Sequence, residues 1–222
     1  MKHIADDNVL YVLQYLTVNL VGKGYVRHGY CLLPEKKRDR WADIVQKVNG
    51  RYVTKRGQSV FDLSRDQRAR RKQMGLLNAI MVWWRCHLFI FATNGKDDVG
   101  LTGGEQLHTW PKVGPIIPAG KNFIYTIVRS SEGATLALTR GCFQDKLAYF
   151  EGLAQRAPLA WVQKEFALDD RLIPGYAGCN RQKKAIAKAI ITSARRNGRQ
   201  EFTKELFPIT MRRPTVAADG DN

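Results

Sequence analysis

A short run of side chains that could perform chemistry lies near the N-terminus, in the segment YVRHGY from Tyr25 to Tyr30. Successive side chains of a strand point to opposite faces, so His28 and Tyr30 share one face and Arg27 lies on the other. Such a set can cleave RNA without a metal, because a base removes the 2′-hydroxyl proton and a guanidinium stabilises the phosphorane. The sequence therefore predicts His28, Tyr30 and Arg27 as catalytic candidates. The alternative is a hydrogen-bonded, structural His28 and a phosphate-binding Arg27.

Other catalytic or metal-binding motifs do not occur in the chain. The four histidines form no HxH pair and no HExxH motif, and neither a GxSxG nor a Walker A sequence is present. Two pairs of carboxylates, Asp97-Asp98 and Asp169-Asp170, are adjacent in the sequence. Neighbours of this kind seldom converge on one metal. We therefore predict a protein without a metal or cofactor, and, if it is an enzyme, a metal-independent endoribonuclease.

The charge of the chain indicates a polyanionic partner. The 222 residues carry a formal net charge of +16, and the pI is about 9.9. A pI above about 9 is the usual electrostatic footprint of a nucleic-acid-binding domain. The positive charge is also clustered, since thirteen Lys/Arg and only four acidic residues lie between Lys36 and Lys72. These numbers favour nucleic acid over a generic basic surface.

The first basic cluster contains a predicted helix from Ser64 to about Gly75. Ser64 and Gln67 match a capping box, in which the serine hydroxyl accepts a hydrogen bond from the glutamine amide. Arg65, Arg68 and Lys72 share one face of this helix, with Arg71 beside them. The predicted phosphate-binding residues of the cluster are Lys55, Arg56, Arg65, Arg68, Arg71 and Lys72.

The second basic cluster lies on a predicted long helix, from about Ala177 to Asn197. Arg181, Lys184 and Lys188 follow an i, i+3, i+7 pattern, and no acidic residue occurs between Arg171 and Gln200. The predicted phosphate-binding residues here are Arg181, Lys184, Lys188, Arg195 and Arg196, and Lys183 and Arg199 belong to the same cluster. Neutralised phosphates release counterions, so binding should depend strongly on salt. The alternative for each cluster is a solvated helix face.

RNA is slightly favoured over DNA as the bound nucleic acid. Several aromatic side chains offer planar surfaces, and base–aromatic stacking contributes about 1–3 kcal/mol per base in single strands or RNA loops. Adjacent Trp83 and Trp84 must point to opposite faces of a strand, so at least one belongs to the core. The segment from Lys36 to Lys72 is also compatible with a helix-turn-helix that reads DNA, although the loop between its helices is long.

The predicted elements describe an α+β fold, with an antiparallel sheet built from two hairpins and flanked by several helices. The first hairpin joins Ala79–Trp84 to Leu88–Thr93, and the second joins Phe123–Arg129 to Ala134–Arg140. A helix over residues 38–48 has one apolar stripe. We predict a mixed nucleic-acid-binding region over residues 1–140, a helical region with the basic helix over 141–213, and a disordered tail over 214–222.

Three stretches resemble a poorly characterised group of proteins from plasmids and other mobile elements: Arg27–Tyr30 (RHGY), Arg68–Asn78 (RxRRKxxGLxN) and Leu88–Gly95. The resemblance covers roughly the first half of the chain. It implies a nucleic-acid transaction on a mobile element and assigns no catalytic residue. The arginine-rich helix is also similar in composition to those of CRISPR repeat-processing endoribonucleases, but their glycine-rich C-terminal loop has no recognisable counterpart here.

The four cysteines are isolated in the sequence, which is typical of a reducing compartment, and we expect a cytoplasmic protein. No signal peptide is visible, and the apolar run around Trp84 is too short and too charged to span a bilayer. We therefore expect no membrane partner. The leading prediction is a nucleic-acid-binding protein, and the alternatives are an endoribonuclease, a structural subunit of a ribonucleoprotein and a mobile-element DNA-binding protein.

Overall fold

The computed structural model describes residues 1–4, 9–119 and 122–211. The chain divides into two compact units, Met1–Pro115 and Ile116–Asn222. The boundary lies earlier than the predicted one at residue 140, because the second hairpin packs on the C-terminal helices. The predicted tail over 214–222 lies outside the described residues.

The first unit is built around a five-stranded mixed sheet with the strand order β1-β3-β4-β2-β5. β1 runs parallel to β3, and the other pairs are antiparallel. A π-helical turn over Tyr15–Leu20 and 3₁₀ turns over Val21–Lys23, Glu35–Arg40 and Val60–Asp62 connect the elements. The strands and α-helices are β1 (Lys2–Ile4), α1 (Val9–Gln14), β2 (Arg27–Leu32), α2 (Trp41–Arg51), α3 (Arg65–Gln73), β3 (Ala79–Trp84), β4 (His87–Ala92), α4 (Leu101–Gly104) and β5 (His108–Thr109).

The first predicted hairpin is present as β3 and β4. Its register pairs Trp84 with His87, so the turn consists of Arg85 and Cys86, and His87 belongs to the strand instead of the turn. Arg85 adopts a positive φ of 50°, a left-handed conformation that tight two-residue hairpin turns require. The consequence is that the His87 side chain lies on the sheet beside its neighbours on β2 and β3.

One face of this sheet packs against α2 and the segments that follow it. Val45 is fully buried there, and Trp41, Ile44 and Val48 pack against the same core, which confirms the predicted apolar stripe of the helix. The helix spans Trp41–Arg51, so it begins and ends three residues later than the predicted range of 38–48. Burial of this stripe fixes α2, and the basic segment before it, on the first unit.

The second unit combines a three-stranded antiparallel sheet, in the order β6-β7-β8, with three helices. Its elements are β6 (Ile116–Pro118), β7 (Ile124–Ser130), β8 (Gly133–Leu138), α5 (Arg140–Arg156), α6 (Leu159–Leu172), α7 (Ala177–Arg196) and a 3₁₀ turn over Lys204–Leu206. β7 and β8 form the second predicted hairpin, and its register pairs Ser130 with Gly133 around a two-residue turn.

α7 is docked on β8 by polar contacts and by close backbone approach. The side-chain amide of Gln182 both accepts from the Leu138 amide at 2.7 Å and donates to the Leu138 carbonyl at 2.9 Å. At Gly178, an added Cβ would lie 2.3 Å from the Leu136 carbonyl oxygen, so only glycine permits this approach. Ile186 and Ile190 of α7 are buried among the helices. These contacts fix which side of α7 faces outward.

The predicted α+β class is confirmed, and both hairpins form. They lie in two different sheets, in two units, and the larger sheet is mixed because β1 joins it in parallel. The prediction that both hairpins form a single antiparallel sheet was therefore wrong. None of the helices within the described part of the chain has both the length and the apolar character needed to cross a membrane.

Candidate nucleic-acid interface

A row of cations runs along the outward side of α7. Arg181, Lys184, Lys188 and Arg195 are all exposed, and they follow one helical face at i, i+3, i+7 and i+14. At 1.5 Å per residue the row is about 21 Å long. The helix contains no acidic residue over its 20 residues. We call these four residues the α7 row.

The ends of the α7 row differ in their electrostatic surroundings. Among the described residues, no salt bridge involves Arg181, Lys184 or Lys188. Hydrogen bonds from the Glu205 backbone and from Thr203 lower the pKa of the Glu205 carboxyl, and the charges of Lys204 and then of Arg195 lower it further. The three N-terminal members of the row therefore offer the strongest attraction for a phosphate. Arg196, predicted with them, is exposed beside Arg195 in the last turn.

Two cations of the same sequence cluster are used inside the fold. Lys183 is 1% exposed, and its ammonium lies 3.0 Å from the Asp170 carboxylate and donates to the carbonyls of Asp170 and Thr210. The Arg199 guanidinium donates to the carbonyls of Ala154 and Ala157, at the C-terminal end of α5. Cations at this end of a helix satisfy carbonyls that lack intrahelical partners. Neither residue is available to a phosphate.

The predicted capping box of α3 is present. The Ser64 hydroxyl accepts from the Gln67 amide at 3.2 Å, and the Gln67 side chain accepts from the Ser64 amide at 2.7 Å. Arg65 and Lys72 are exposed on one face, and Arg68, between them, is half-buried and donates to the Leu63 carbonyl. Arg65, Arg68 and Lys72 form the α3 row, with the same i, i+3, i+7 spacing as the start of the α7 row.

Arg71 was predicted to bind phosphate, but the fold places it inward. It is 7% exposed, and its guanidinium donates to the Leu77 carbonyl and to both carboxylate oxygens of Asp98. Hydrogen bonds from Arg71 are the main reason that the pKa of Asp98 lies below its usual range. A buried guanidinium with all of these partners is a structural group, so we remove Arg71 from the phosphate-binding set.

The structure brings Lys55 and Arg56 close to the start of α3. Both side chains are exposed on a tight turn, in which Thr54 and Gln58 are hydrogen-bonded to each other and Gly57 adopts a φ of 78°. The Gln58 side chain accepts a hydrogen bond from the Gln67 side chain at 2.7 Å. This bond links the turn to the capped helix. The turn with Lys55 and Arg56 is therefore fixed against the start of α3.

His28 is a buried residue of the central sheet. It is 3% exposed, and its Nε2 donates to the Val113 carbonyl at 2.8 Å. Burial lowers the pKa of its imidazole, and nearby His108 lowers it further against the opposing effect of the Val113 bond. A ring held in this way cannot reach a 2′-hydroxyl. Arg27 is half-buried at the start of β2. The catalytic role predicted for His28 therefore finds no support in its geometry.

Tyr30 is paired with a histidine that the sequence pattern did not assign to it. Its hydroxyl is hydrogen-bonded to Nδ1 of His87 at 2.9 Å, across the β2–β4 pair. His87 was expected in the hairpin turn, where it would lie away from the sheet. Only the strand register, which depends on residues 57 positions apart, brings the two side chains together. No local signal in the sequence indicates this pair.

The described residues contain no group of three or more His, Cys, Asp or Glu side chains that could hold a metal ion. All four cysteines are free, and burial raises the pKa of the Cys179 thiol to about 12. The predicted site residues that the fold leaves exposed are thus Tyr30, the α7 row with Arg196, the turn with Lys55 and Arg56, and Arg65 and Lys72 of the α3 row.

The chain was compared with protein-family models, with curated proteins and with solved structures, and none of the three comparisons found a match.

Proposed function

We propose that this protein binds nucleic acid, RNA in preference to DNA, by contacts to the phosphate backbone. The α7 row is the observation that carries the proposal. Its cations lie on one exposed face of a helix without acidic residues, and the opposite face is fixed by buried Ile186 and Ile190. Because the helix is already folded, only the side chains are ordered when the row binds a chain of phosphates, and each contact releases counterions.

The α3 row supports the proposal from the other unit. Arg65 and Lys72 are exposed on a capped helix, and the adjoining turn adds Lys55 and Arg56. We infer a second phosphate-binding surface there. Because all four cysteines are free thiols, we further propose that the protein acts in a reducing compartment such as the cytoplasm.

The test is a salt titration of binding to a fluorescent single-stranded RNA, with the triple variant R181Q/K184Q/K188Q. We expect the slope of log K against log salt to fall in magnitude by about 2, since each phosphate contact in a single strand contributes about 0.7. The same titration with single-stranded DNA of the same sequence measures the preference for RNA.

The matched control is R129Q/R156Q/K164Q, which removes the same charge from exposed positions of the same unit outside the α7 row. We expect the slope to change by less than about 0.7 in this control. An equal decrease of the salt slope in the two triple variants would mean that net charge alone drives binding. Wild-type protein that binds no nucleic acid at low salt would remove the proposal altogether.

A further inference from the structure

Aromatic rings form a row across the end of the central sheet in the first unit. Tyr30 on β2, His87 and Phe89 on β4, and Trp84 on β3 all point to the same face, because Tyr30 pairs with Phe89 and Trp84 pairs with His87 in the register. The Tyr30 and His87 centroids are 5.9 Å apart with planes 25° apart, and the Trp84 and His87 centroids are 5.3 Å apart with planes 23° apart. Tyr30, His87 and Trp84 are therefore stacked with nearly parallel neighbouring rings, and Phe89 is tilted by 37° to Tyr30.

The polar edges of this row are engaged within the row itself. The Tyr30 hydroxyl bonds to Nδ1 of His87, and Nε2 of His87 lies 3.8 Å from the Cys86 sulfur. Burial, and then the nearby Arg85 guanidinium, lower the pKa of His87, so its ring is neutral at pH 7. A neutral imidazole with both nitrogens in contact is poorly suited to bind a phosphate. The pair offers a ligand its ring faces instead.

Tyr30 is the member of the row that is open to a ligand. It is 41% exposed although it sits in a sheet, and Phe89 supports it from the next strand at a centroid distance of 5.2 Å. Leu32, two residues further along the same face of β2, is 58% exposed. A flat aromatic face with an apolar rim, backed by other rings, matches the size and chemistry of a nucleobase.

Charge close to this face favours a nucleotide over an apolar peptide. Lys36, Lys37 and Arg40 are exposed in the 3₁₀ turn that follows β2. Lys36 is four residues beyond Leu32, so the two backbones are at most about 14 Å apart. The cations thus lie on the segment that follows the strand carrying Tyr30, which favours a ligand with phosphates.

We propose that Tyr30, supported by His87 and Phe89, stacks an unpaired base of single-stranded RNA. The inference rests on the proposed function and adds the substrate class to it. RNA is assigned because its loops, bulges and ends display unstacked bases, which proteins take up on aromatic side chains. The Tyr30–His87 bond sets the orientation of the ring, and the row behind it resists displacement.

The first test compares Tyr30→Leu and Tyr30→Phe in binding to a single-stranded RNA and to a blunt-ended RNA duplex, in enough salt to weaken the phosphate contacts. Tyr30→Leu should bind the single strand about 5- to 100-fold more weakly and the duplex within twofold of the wild type, since stacking involves only unpaired bases. Tyr30→Phe keeps the ring and should stay within threefold. Equal binding of the single strand by wild type and Tyr30→Leu overturns the inference.

The matched control is Tyr149→Leu, which removes a comparable tyrosine in the second unit. Tyr149 is 49% exposed, and its hydroxyl also has a polar partner, Glu165, at 3.1 Å. We expect single-strand affinity to stay within twofold of the wild type. A loss in this control equal to that in Tyr30→Leu means that stacking is not localised at Tyr30, and the inference fails.

Photo-crosslinking of the wild-type protein covers the case in which Tyr30→Leu folds poorly. A strand that carries 5-iodouridine should crosslink to the peptide that contains Tyr30 or to the one that contains His87. Crosslinks confined to other aromatic residues overturn the inference, and so does a DNA strand of the same sequence that binds more tightly than the RNA. Loss of RNA binding in R181Q/K184Q/K188Q, together with unchanged binding in Tyr30→Leu, rejects the stacking site and leaves the proposed function in place.

Discussion

α3 and α7 carry the same pattern of cations but are held in place by different forces. Each has cations at i, i+3 and i+7, all exposed in α7 and exposed except for half-buried Arg68 in α3. Each helix also turns one further cation inward to an aspartate: Arg71 to Asp98, and Lys183 to Asp170. Each helix contains a dense cluster of basic residues, and the fold buries one of them. The cluster is therefore partly a structural device and partly an open surface.

The difference between the two helices lies in their apolar content. α7 buries Ile186, Ile190 and two alanines, Ala187 and Ala194, so its packing does not depend on one ion pair. α3 is nine residues long, and Arg71 is its only buried residue. Polar contacts hold it: the capping box, the Arg71 bonds, and a bond from the Asn78 side chain to the Arg68 carbonyl. A helix without an apolar face is thus held by its cap and by hydrogen bonds, among them those of one buried guanidinium.

The largest effect should come from Arg71→Ala. This change leaves Asp98 and the Leu77 carbonyl without their donor, and breaking a buried pair on one side costs about 3–5 kcal/mol. We expect the free energy of unfolding to fall by about 4–5 kcal/mol, near the upper end of this range, because α3 has no other buried side chain. Hydrogen exchange of the full chain should show α3 amides losing protection.

Lys72→Ala, on the exposed side of α3, is the control for Arg71→Ala, and it should change stability by less than about 0.5 kcal/mol. If the α3 amides of Arg71→Ala exchange as slowly as those of the wild type, the ion pair between Arg71 and Asp98 does not fix the helix.

A smaller effect is expected from Lys183→Met in α7. We expect a loss of about 3 kcal/mol, because Met fills the buried volume but leaves Asp170 uncompensated. Adding Asp170→Asn should restore at least half of the loss, since the neutral amide oxygen can still accept from the Thr210 amide and the apolar face of α7 is intact. Urea unfolding of the single and double variants measures this recovery.

The corresponding double variant in α3, Arg71→Met with Asp98→Asn, should recover much less, because no apolar packing remains to hold that helix. Equal recovery in the two helices would show that the proposed difference between them is wrong.

The smallest expected effect is the pH dependence of stability, which should differ between the two units. All four histidines lie in the first unit, and the pKa values of His28 and His87 are lowered there, mainly by burial. Below the ordinary value of 6.5 the unfolded chain binds protons that the folded first unit does not, so its stability should fall as the pH drops from 7 toward 5.

The second unit contains no histidine, so hydrogen exchange, corrected for intrinsic rates, should show a nearly constant stability for it over the same range. Parallel losses in both units would contradict this assignment. His28→Gln should reduce the acid sensitivity of the first unit.

Local features were predictable, and contacts between distant segments were not. The Ser64–Gln67 cap, the α2 stripe and both hairpins follow from residues within a few positions of each other, and all are present. The second hairpin was grouped with the wrong sheet, because strand patterns do not say which partner a strand will pack on. The roles of His28 and Tyr30 are a second example, since both depend on the register of β2 with other segments.

The sequence by itself determined the positive charge, its two clusters, and the i, i+3, i+7 spacing of the exposed rows, because these depend only on composition and on the period of a helix. The tertiary structure decided which cations remain outside. Asp98 lies 27 residues from Arg71, and His87 lies 57 residues from Tyr30. A buried charge is tolerated only where the fold brings a partner to it, and contacts between residues this far apart in the chain depend on how strands and helices pack.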